Sequence, residues 1–298
     1  MTFDLNVYLK ERKLLVEEGL ERYLPPQKGF YNPIVEAMRY SLLAGGKRLR
    51  PILCLAATEV VGGKKETALP VACALEMIHT YSLIHDDLPA MDNDDFRRGK
   101  PTNHKVFGEA MAILAGDGLL TEAFYLLSYP DLLEKIPPAQ LVRISHLVAQ
   151  AAGFRGMVSG QVMDLEVTGK EIDLKELKVI HDHKTGALIR AAIECGAVVG
   201  GGNEIEVEAL REYGTQIGLA FQIVDDILDI EGSPQEMGKN TGSDEFQQKA
   251  TYPKLLGLSK AKEMAKTCIK RAIYALKLFG ERAIPLRAIA QYIIERRS

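Results

Sequence analysis

The sequence predicts an all-α fold in which residues 1–298 form a single domain. Apolar residues recur at helical spacing along nearly the whole chain, whereas the period-two alternation that marks strands is absent. The breaks between apolar segments are short clusters of Gly and Pro, such as 24–29, 129–138 and 200–203. None of these breaks has the length or the composition of a domain linker, and no tandem repeat is present.

The predicted helices follow the apolar segments in chain order. Residues 1–21 alternate charged and apolar side chains at helical spacing and lack the uninterrupted apolar stretch of a signal peptide. Each later helix runs between two breaks, and the predicted ranges are 34–44, 50–60, 68–87, 104–127, 138–151, 153–167, 173–200, 204–230, 248–256, 259–279 and 283–296. No segment of about 20 uniformly apolar residues occurs, so we expect no membrane span.

The composition is that of an ordinary globular protein. Hydrophobic residues make up 47% of the chain, which is enough for a large core. The net charge of −3 provides no basic field to attract nucleic acid or an acidic lipid surface. The four cysteines lie far apart in apolar, helical surroundings, which indicates reduced side chains in a cytoplasmic protein.

Two of the predicted helices, 68–87 and 204–230, are apolar around most of their circumference, which is typical of helices at the centre of a bundle. Both end in aspartates. Carboxylates at the C-terminal end of a helix face the negative pole of its macrodipole, and adjacent carboxylates repel each other when they are desolvated. Helix stability alone would not place acids there, whereas a bound polyvalent cation would remove both penalties.

The acids form two clusters with different local geometry. They are Asp86, Asp87 and Asp92 in the first cluster and Asp225, Asp226 and Asp229 in the second. Asp225 and Asp229 lie one turn apart on one helical face, with Gln222 one turn earlier. Asp86 and Asp92 would diverge on an unbroken helix, but Pro89 interrupts it, so the chain can curl back toward Asp86.

Oxygen ligands in this number, without a neighbouring His or Cys, favour Mg²⁺ over zinc. One such cluster alone is a solvated helix end about as often as it is a metal site. Two clusters at the ends of two apolar helices favour a metal site. Asp94 and Asp95 are better interpreted as exposed loop charges or as residues behind the ligands.

Basic residues stand beside glycines near the acids, a combination that phosphate recognition requires. They are Lys47, Arg48 and Arg50 in GGKRLRP, Arg97 and Arg98 after the first cluster, Lys184 with Thr185 in HKTG, and Lys239 and Lys249 further along the chain. Each of them alone would more often be an ordinary surface charge.

With these motifs in this order, the sequence resembles the trans-isoprenyl diphosphate synthases, and most closely the bacterial farnesyl/geranylgeranyl branch. The matching segments include GGKRLRP, SLIHDDLPAMDNDDFRRGKPTNH, GMVSGQVMDLE, HKTGALI, FQIVDDILD and GKNTGSDEFQQKATYP, and the match covers residues 30–298. The resemblance implies helices around a deep central cavity, a homodimer, and condensation of isopentenyl diphosphate with an allylic diphosphate.

The resemblance also implies roles for individual residues. The two aspartate clusters would hold three Mg²⁺ ions on the allylic diphosphate. The same diphosphate would be contacted by Arg97, Lys184, Thr185, Gln222 and Lys239, with help from Lys249. The isopentenyl diphosphate site would comprise Lys47, Arg50, His79 and Arg98, although His79 could instead be a hydrogen-bonded core histidine. Lys184 and Lys239 would also assist departure of the diphosphate.

The position of Tyr81 predicts the length of the product. Tyr81 and Ser82 lie five and four residues before Asp86, so their side chains would project into the cavity below the metals. In the family that the sequence resembles, an aromatic ring at the Tyr81 position accompanies farnesyl (C15) products. A geranylgeranyl (C20) synthase is the alternative, and Tyr81 could also be an ordinary packing residue.

More distant alternatives are a terpene cyclase, a non-catalytic subunit of a heteromeric prenyl synthase, and a structural or metal-buffering helical protein. A cyclase has no use for the basic GGKRLRP segment, and regulatory subunits tend to lose aspartates that are complete here.

Overall fold

The computed structural model describes residues 3–231 and 250–296. Within those ranges it contains fourteen α-helices, two short 3₁₀ segments, one π-helical turn and one hairpin. The first seven helices are α1 Leu5–Tyr23, α2 Asn32–Leu42, α3 Leu49–Val60, α4 Lys65–Asp86, α5 Asn103–Phe107, α6 Glu109–Leu127 and α7 Pro138–Ala152. The others are α8 Met157–Val167, α9 Leu174–His181, α10 Ala187–Val199, α11 Glu204–Glu231, α12 Tyr252–Leu256, α13 Leu258–Ala275 and α14 Ile284–Glu295. The 3₁₀ segments are Pro130–Glu134 and Leu276–Ala283, and the π-helical turn is Asp182–Gly186.

The only strands in the described part of the chain have two residues each, and they pair as a hairpin. They are β1 Phe96–Arg97 and β2 Lys100–Pro101. The prediction contained no strand, because two residues are too short to show a period. The turn between the strands places both Arg98 and Gly99 at positive φ, 54° and 73°. Positive φ at both central positions suits the twist of a tight hairpin. The all-α prediction is confirmed apart from this hairpin.

Helix α4 lies at the centre of the bundle, in contact with α3, α6, α10 and α1. Its apolar residues are almost all buried, as the sequence predicts. Helix α10 is buried on every side except at Arg190, whereas α11 buries one face only. The first turn of α11 carries glutamates on its outer face. Helix α11 is therefore less enclosed than the sequence predicts for the apolar helix 204–230.

Two helical stretches, Lys65–Asp86 and Glu109–Glu134, are long and apolar enough to cross a membrane by length and composition alone. The first is the central helix α4, and 78% of its most apolar window is buried inside the protein. In the second, which includes α6, only 39% of that window is buried. We expected no such stretch from the sequence, because polar residues interrupt both, such as Glu76 in the first and Glu122 in the second.

Candidate active site

The first acidic cluster follows the end of α4, where the chain curls as the sequence predicts. Helix α4 ends at Asp86, Pro89 interrupts further helix, and the backbone N–H of Asp92 donates to the carbonyl oxygen of Asp86 at 2.9 Å. This hydrogen bond brings the last aspartate of the cluster back beside the first.

The carboxylates of this cluster repel one another in a partly desolvated position. Burial raises the pKa of Asp86 to about 6, with Asp92 and Asp87 adding to the rise and Lys184 and Arg97 opposing it. An added cation would relieve this repulsion.

Asp87 differs from its two neighbours because its carboxylate is buried and already paired. Its Oδ1 accepts from the Arg97 guanidinium at 2.6 Å. Burial raises the pKa of Asp87, and this hydrogen bond opposes the rise. Arg97 also donates to Asp94 at 3.2 Å, so Asp94 lies behind the cluster, whereas the exposed Asp95 pairs with Lys105 at 2.7 Å.

The second cluster, on the last turns of α11, divides in the same way. Asp226 is buried and accepts the backbone N–H of Tyr252, at the start of α12, at 2.8 Å. Asp225 is partly exposed and accepts from Arg296 at 2.5 Å and from Gln222 at 3.4 Å. In each cluster the middle aspartate is therefore buried, while the first and last are partly exposed. The sequence did not predict this division.

The π-helical turn links the two clusters. Lys184 donates to Asp164 of α8 at 2.5 Å and lies within electrostatic reach of Asp86 and Asp92. The next residue, Thr185, donates to Gln222 at 3.3 Å, and Gln222 in turn contacts Asp225. Since both clusters adjoin the same turn, they lie on one site, as the sequence predicts.

The turn can occupy this position because of a glycine on α8. A Cβ atom at Gly160 would lie 2.1 Å from the backbone nitrogen of Lys184, so any larger residue would displace the turn. A wide π-helical turn inside a helix is frequent at functional sites.

The predicted isopentenyl diphosphate site forms a compact basic group beside α4. Burial lowers the pKa of Arg50 to about 10, with Glu76 and Asp225 opposing the change. Burial, together with Arg50, Arg98 and other arginines, lowers the pKa of His79 well below its ordinary range, so this imidazole is neutral at pH 7.

Arg98 closes the pocket from the hairpin side, where it donates to the carbonyl oxygen of Gly45 at 2.5 Å. Gly46, with φ 119°, leaves room for it, since a Cβ atom there would lie 2.7 Å from the guanidinium carbon of Arg98. The buried Nε of Arg50 has no hydrogen-bond partner among the described residues, which leaves a donor for an anion. Lys47, three residues before Arg50 in the chain, is exposed.

Sequence reasoning missed three charged residues of the site. Glu76 is buried beneath the basic group and accepts from Arg48 at 2.7 Å. Glu76 is an acid surrounded by apolar residues of the predicted helix, and this position could have identified it from the sequence. Asp164 lies in the matching segment GMVSGQVMDLE, but no role was predicted for it. Nothing in the sequence distinguished Arg296 from the other arginines near it. The predicted residues Lys239 and Lys249 lie outside the described residues.

Tyr81 and Ser82 lie on α4, one turn from the first cluster. The Tyr81 ring is buried and meets His85 edge-on at 5.7 Å between ring centroids. Burial, reinforced by Asp86, raises the pKa of Tyr81 to about 12, so the phenol is neutral. The Ser82 hydroxyl donates to the carbonyl oxygen of His79 at 2.8 Å.

Comparisons with known proteins identify the family of the chain. A model of the polyprenyl synthetase family matches residues 32–280. The farnesyl diphosphate synthase of Geobacillus stearothermophilus is 55% identical over 256 residues, covering 86% of this chain and 86% of that protein. The chloroplastic heterodimeric geranylgeranyl pyrophosphate synthase large subunit 1 of Arabidopsis thaliana is 49% identical, covering 100% of this chain and 81% of that protein.

Among solved structures, the apo form of an FPP/GFPP synthase from Zymomonas mobilis is similar, with a TM-score of 0.86 and 40% identity. The match covers 97% of this chain and 98% of that one. The fold is that of a prenyl-chain synthase, and the chain belongs to the polyprenyl synthetase family. Within this family it is a trans-prenyltransferase of the farnesyl/geranylgeranyl diphosphate synthase type, as the motifs predict.

Proposed function

We propose that the protein is a farnesyl diphosphate synthase, which condenses isopentenyl diphosphate head-to-tail with dimethylallyl and then geranyl diphosphate. The observation that carries the C15 product is the buried ring of Tyr81, one turn below the first acidic cluster. A rigid ring at this depth would stop the growing chain. A C20 product remains the alternative, since the relatives include synthases named for both products.

The family uses divalent metal ions, and we propose three Mg²⁺ ions here. In the described part of the chain, no three His, Cys, Asp or Glu side chains converge closely enough to hold an ion alone. This donor set still fits Mg²⁺, which keeps several waters and is commonly bound by one or two carboxylates and substrate phosphates. The best-placed ligands are Asp86, Asp92, Asp225 and Asp229. When bound, the ions would neutralise charge on the diphosphate leaving group.

The chain's own residues support ionisation of the allylic substrate. The Lys184 ammonium and the Thr185 hydroxyl lie between the two clusters, where they can donate to the departing diphosphate oxygens. The apolar face of α4 excludes water from the allylic cation.

The second substrate binds at the basic group. Arg50, Arg98 and Lys47 hold the diphosphate of isopentenyl diphosphate, and neutral His79 can offer a hydrogen bond without adding charge. The double bond of isopentenyl diphosphate attacks the allylic cation, a new C–C bond forms, and one proton is lost. The departing diphosphate is the proposed proton acceptor, because His79 lies among arginines that disfavour its protonation.

We also propose a cytoplasmic homodimer. Helix α6 exposes Ile113, Leu114 and Tyr125, whose exposed fractions are 44%, 55% and 59%. Exposed apolar side chains on a long apolar helix fit burial against a second copy of the chain.

An assay with purified protein tests the proposed reaction. We expect Mg²⁺-dependent incorporation of labelled isopentenyl diphosphate with dimethylallyl or geranyl diphosphate, and mainly C15 products on chromatography. Mainly C20 products would support the alternative. Absence of elongation with every primer would contradict a prenyl synthase, and cyclic hydrocarbons would indicate a terpene cyclase.

A further inference from the structure

The closest contact of Lys184 is the carboxylate of Asp164, a residue that belongs to neither acidic cluster. The Lys184 Nζ and Asp164 Oδ2 atoms lie 2.5 Å apart, and the two side chains are only 23% and 17% exposed. A short hydrogen bond between opposite charges in this partly desolvated setting is stronger than a surface ion pair.

Asp164 is placed to fix the ammonium rather than to hold a substrate. It lies one turn after Gly160, at which α8 touches the backbone of the π-helical turn. The same helix therefore restrains Lys184 at both ends, with Gly160 against its backbone and Asp164 at its Nζ. Two further acids, Asp86 and Asp92, also attract the ammonium.

Lysine needs such a restraint because its side chain is long and flexible. A free Lys side chain loses rotamer entropy when it is fixed, so restraint before substrate binding removes a cost from the reaction. Without Asp164, the ammonium could turn toward Asp86 and Asp92 and neutralise the carboxylates proposed to hold metal.

We propose that Asp164 is a positioning residue, which holds the Lys184 ammonium between the two acidic clusters, ready to donate to the diphosphate of the allylic substrate. This proposal rests on the proposed function, because it assigns Asp164 a part in the same reaction. It does not make Asp164 a catalytic residue, since Asp164 acts through Lys184.

A double-mutant cycle tests the proposal. We expect Asp164→Ala to lower kcat by about 10–100-fold, the range seen when a supporting residue is lost or a group is misplaced by 1 Å. The KM for isopentenyl diphosphate should stay within about twofold, because that substrate binds elsewhere. Lys184→Ala should lower kcat at least as much. The double variant should be within about twofold of Lys184→Ala, because the proposed effect of Asp164 on the reaction acts through the lysine.

Two other variants separate positioning from folding. Asp164→Asn keeps an oxygen that accepts from Lys184 and should retain more activity than Asp164→Ala at an unchanged melting temperature. Glu166→Ala, on the exposed face of the same helix, serves as the matched control and should behave as wild type. Calorimetric titration with pyrophosphate and Mg²⁺ should show a loss of affinity in Asp164→Ala that is no larger than the loss in Lys184→Ala.

The outcomes are distinguishable. If wild type is active and the losses of the two single variants multiply in the double variant, Asp164 acts independently of Lys184 and the proposal is wrong. Wild-type kcat in Asp164→Ala would also overturn it. If wild type itself elongates no primer, the proposed function fails, whereas a pyrophosphate affinity of Asp164→Ala equal to that of wild type would still contradict the positioning role.

Discussion

At the scale of single residues, partly buried carboxylates in the site repel one another, and a bound cation would relieve this repulsion. Asp86 is the clearest case, because burial and two neighbouring carboxylates raise its pKa from 3.8 to about 6. A carboxyl group with a raised pKa stabilises the fold while it is protonated. That contribution is complete below pH 3.8 and is lost as the pH rises through about 6.

We therefore predict that Asp86→Asn is more stable than wild type at pH 8 in the absence of metal, by about 1–3 kcal/mol. The two proteins should be nearly equally stable at pH 4, where Asp86 is protonated. Urea unfolding with a chelator at both pH values measures this difference. The variant should nevertheless lose condensation activity, and equal stability of the two proteins at pH 8 would contradict the assigned environment.

Tyr81 carries a second prediction at this scale. Tyr81→Ala should shift the main product from C15 to C20 or longer, because removing the ring deepens the space available to the chain. Tyr81→Phe is the matched control, since it keeps the ring and should keep C15. Chromatography of the products measures their lengths. An unchanged distribution in Tyr81→Ala would mean that the Tyr81 ring does not limit the length of the product.

At the scale of secondary structure, the π-helical turn at 182–186 is the element that brings the two clusters together. The sequence predicts a single helix over 173–200, because one wide turn leaves the apolar spacing almost unchanged. The turn depends on contacts from elsewhere in the chain, with Gly160 on one side and Gly218 on the other. The helix propensities of residues 182–186 give no information about these contacts, so the sequence could not predict the turn.

Gly160→Ala should destabilise the protein by about 1–3 kcal/mol, the usual cost of overpacking a tight contact. The added methyl group would lie 2.1 Å from the backbone nitrogen of Lys184 and must move the turn. Activity should fall further than stability explains. Urea unfolding and kcat measure the two effects, with Glu166→Ala as the control on the same helix, and a variant with wild-type values of both would contradict the contact.

The boundaries of other elements show the same limit of local reasoning. Pro89 predicted correctly that the chain leaves α4 and returns Asp92 toward Asp86, because proline acts on its own backbone. The predicted helix 104–127 is instead divided at Gly108, whose φ of 85° is not helical. The buried pair Glu76–Arg48 and the partly buried pair Asp164–Lys184 join residues 28 and 20 positions apart, and only the fold brings them together.

At the scale of the whole molecule, the apolar character of the chain predicts the bundle and the central place of α4, while the exposed apolar residues on α6 support the proposed dimer. We predict that Leu114→Glu converts the proposed dimer to monomers or weakens it at least tenfold, because it buries a charge in an apolar contact. Sedimentation over a range of concentrations measures this. Leu278→Glu is the control, because Leu278 is similarly exposed, at 49%, but lies in the 3₁₀ segment after α13.

The basic group beside α4 has a consequence for how the protein should be handled. Arg48, Arg50, Arg97 and Arg98 all lie close enough to depress protonation of His79, and the pKa of Arg98 is itself lowered by burial and by other arginines despite Glu76. Crowded positive charge opposes the folded state until an anion binds, and a ligand of the folded state alone raises its apparent stability. Phosphate, sulfate or pyrophosphate in the storage buffer would thus act as a folding ligand, and melting temperatures obtained in different buffers would not be comparable.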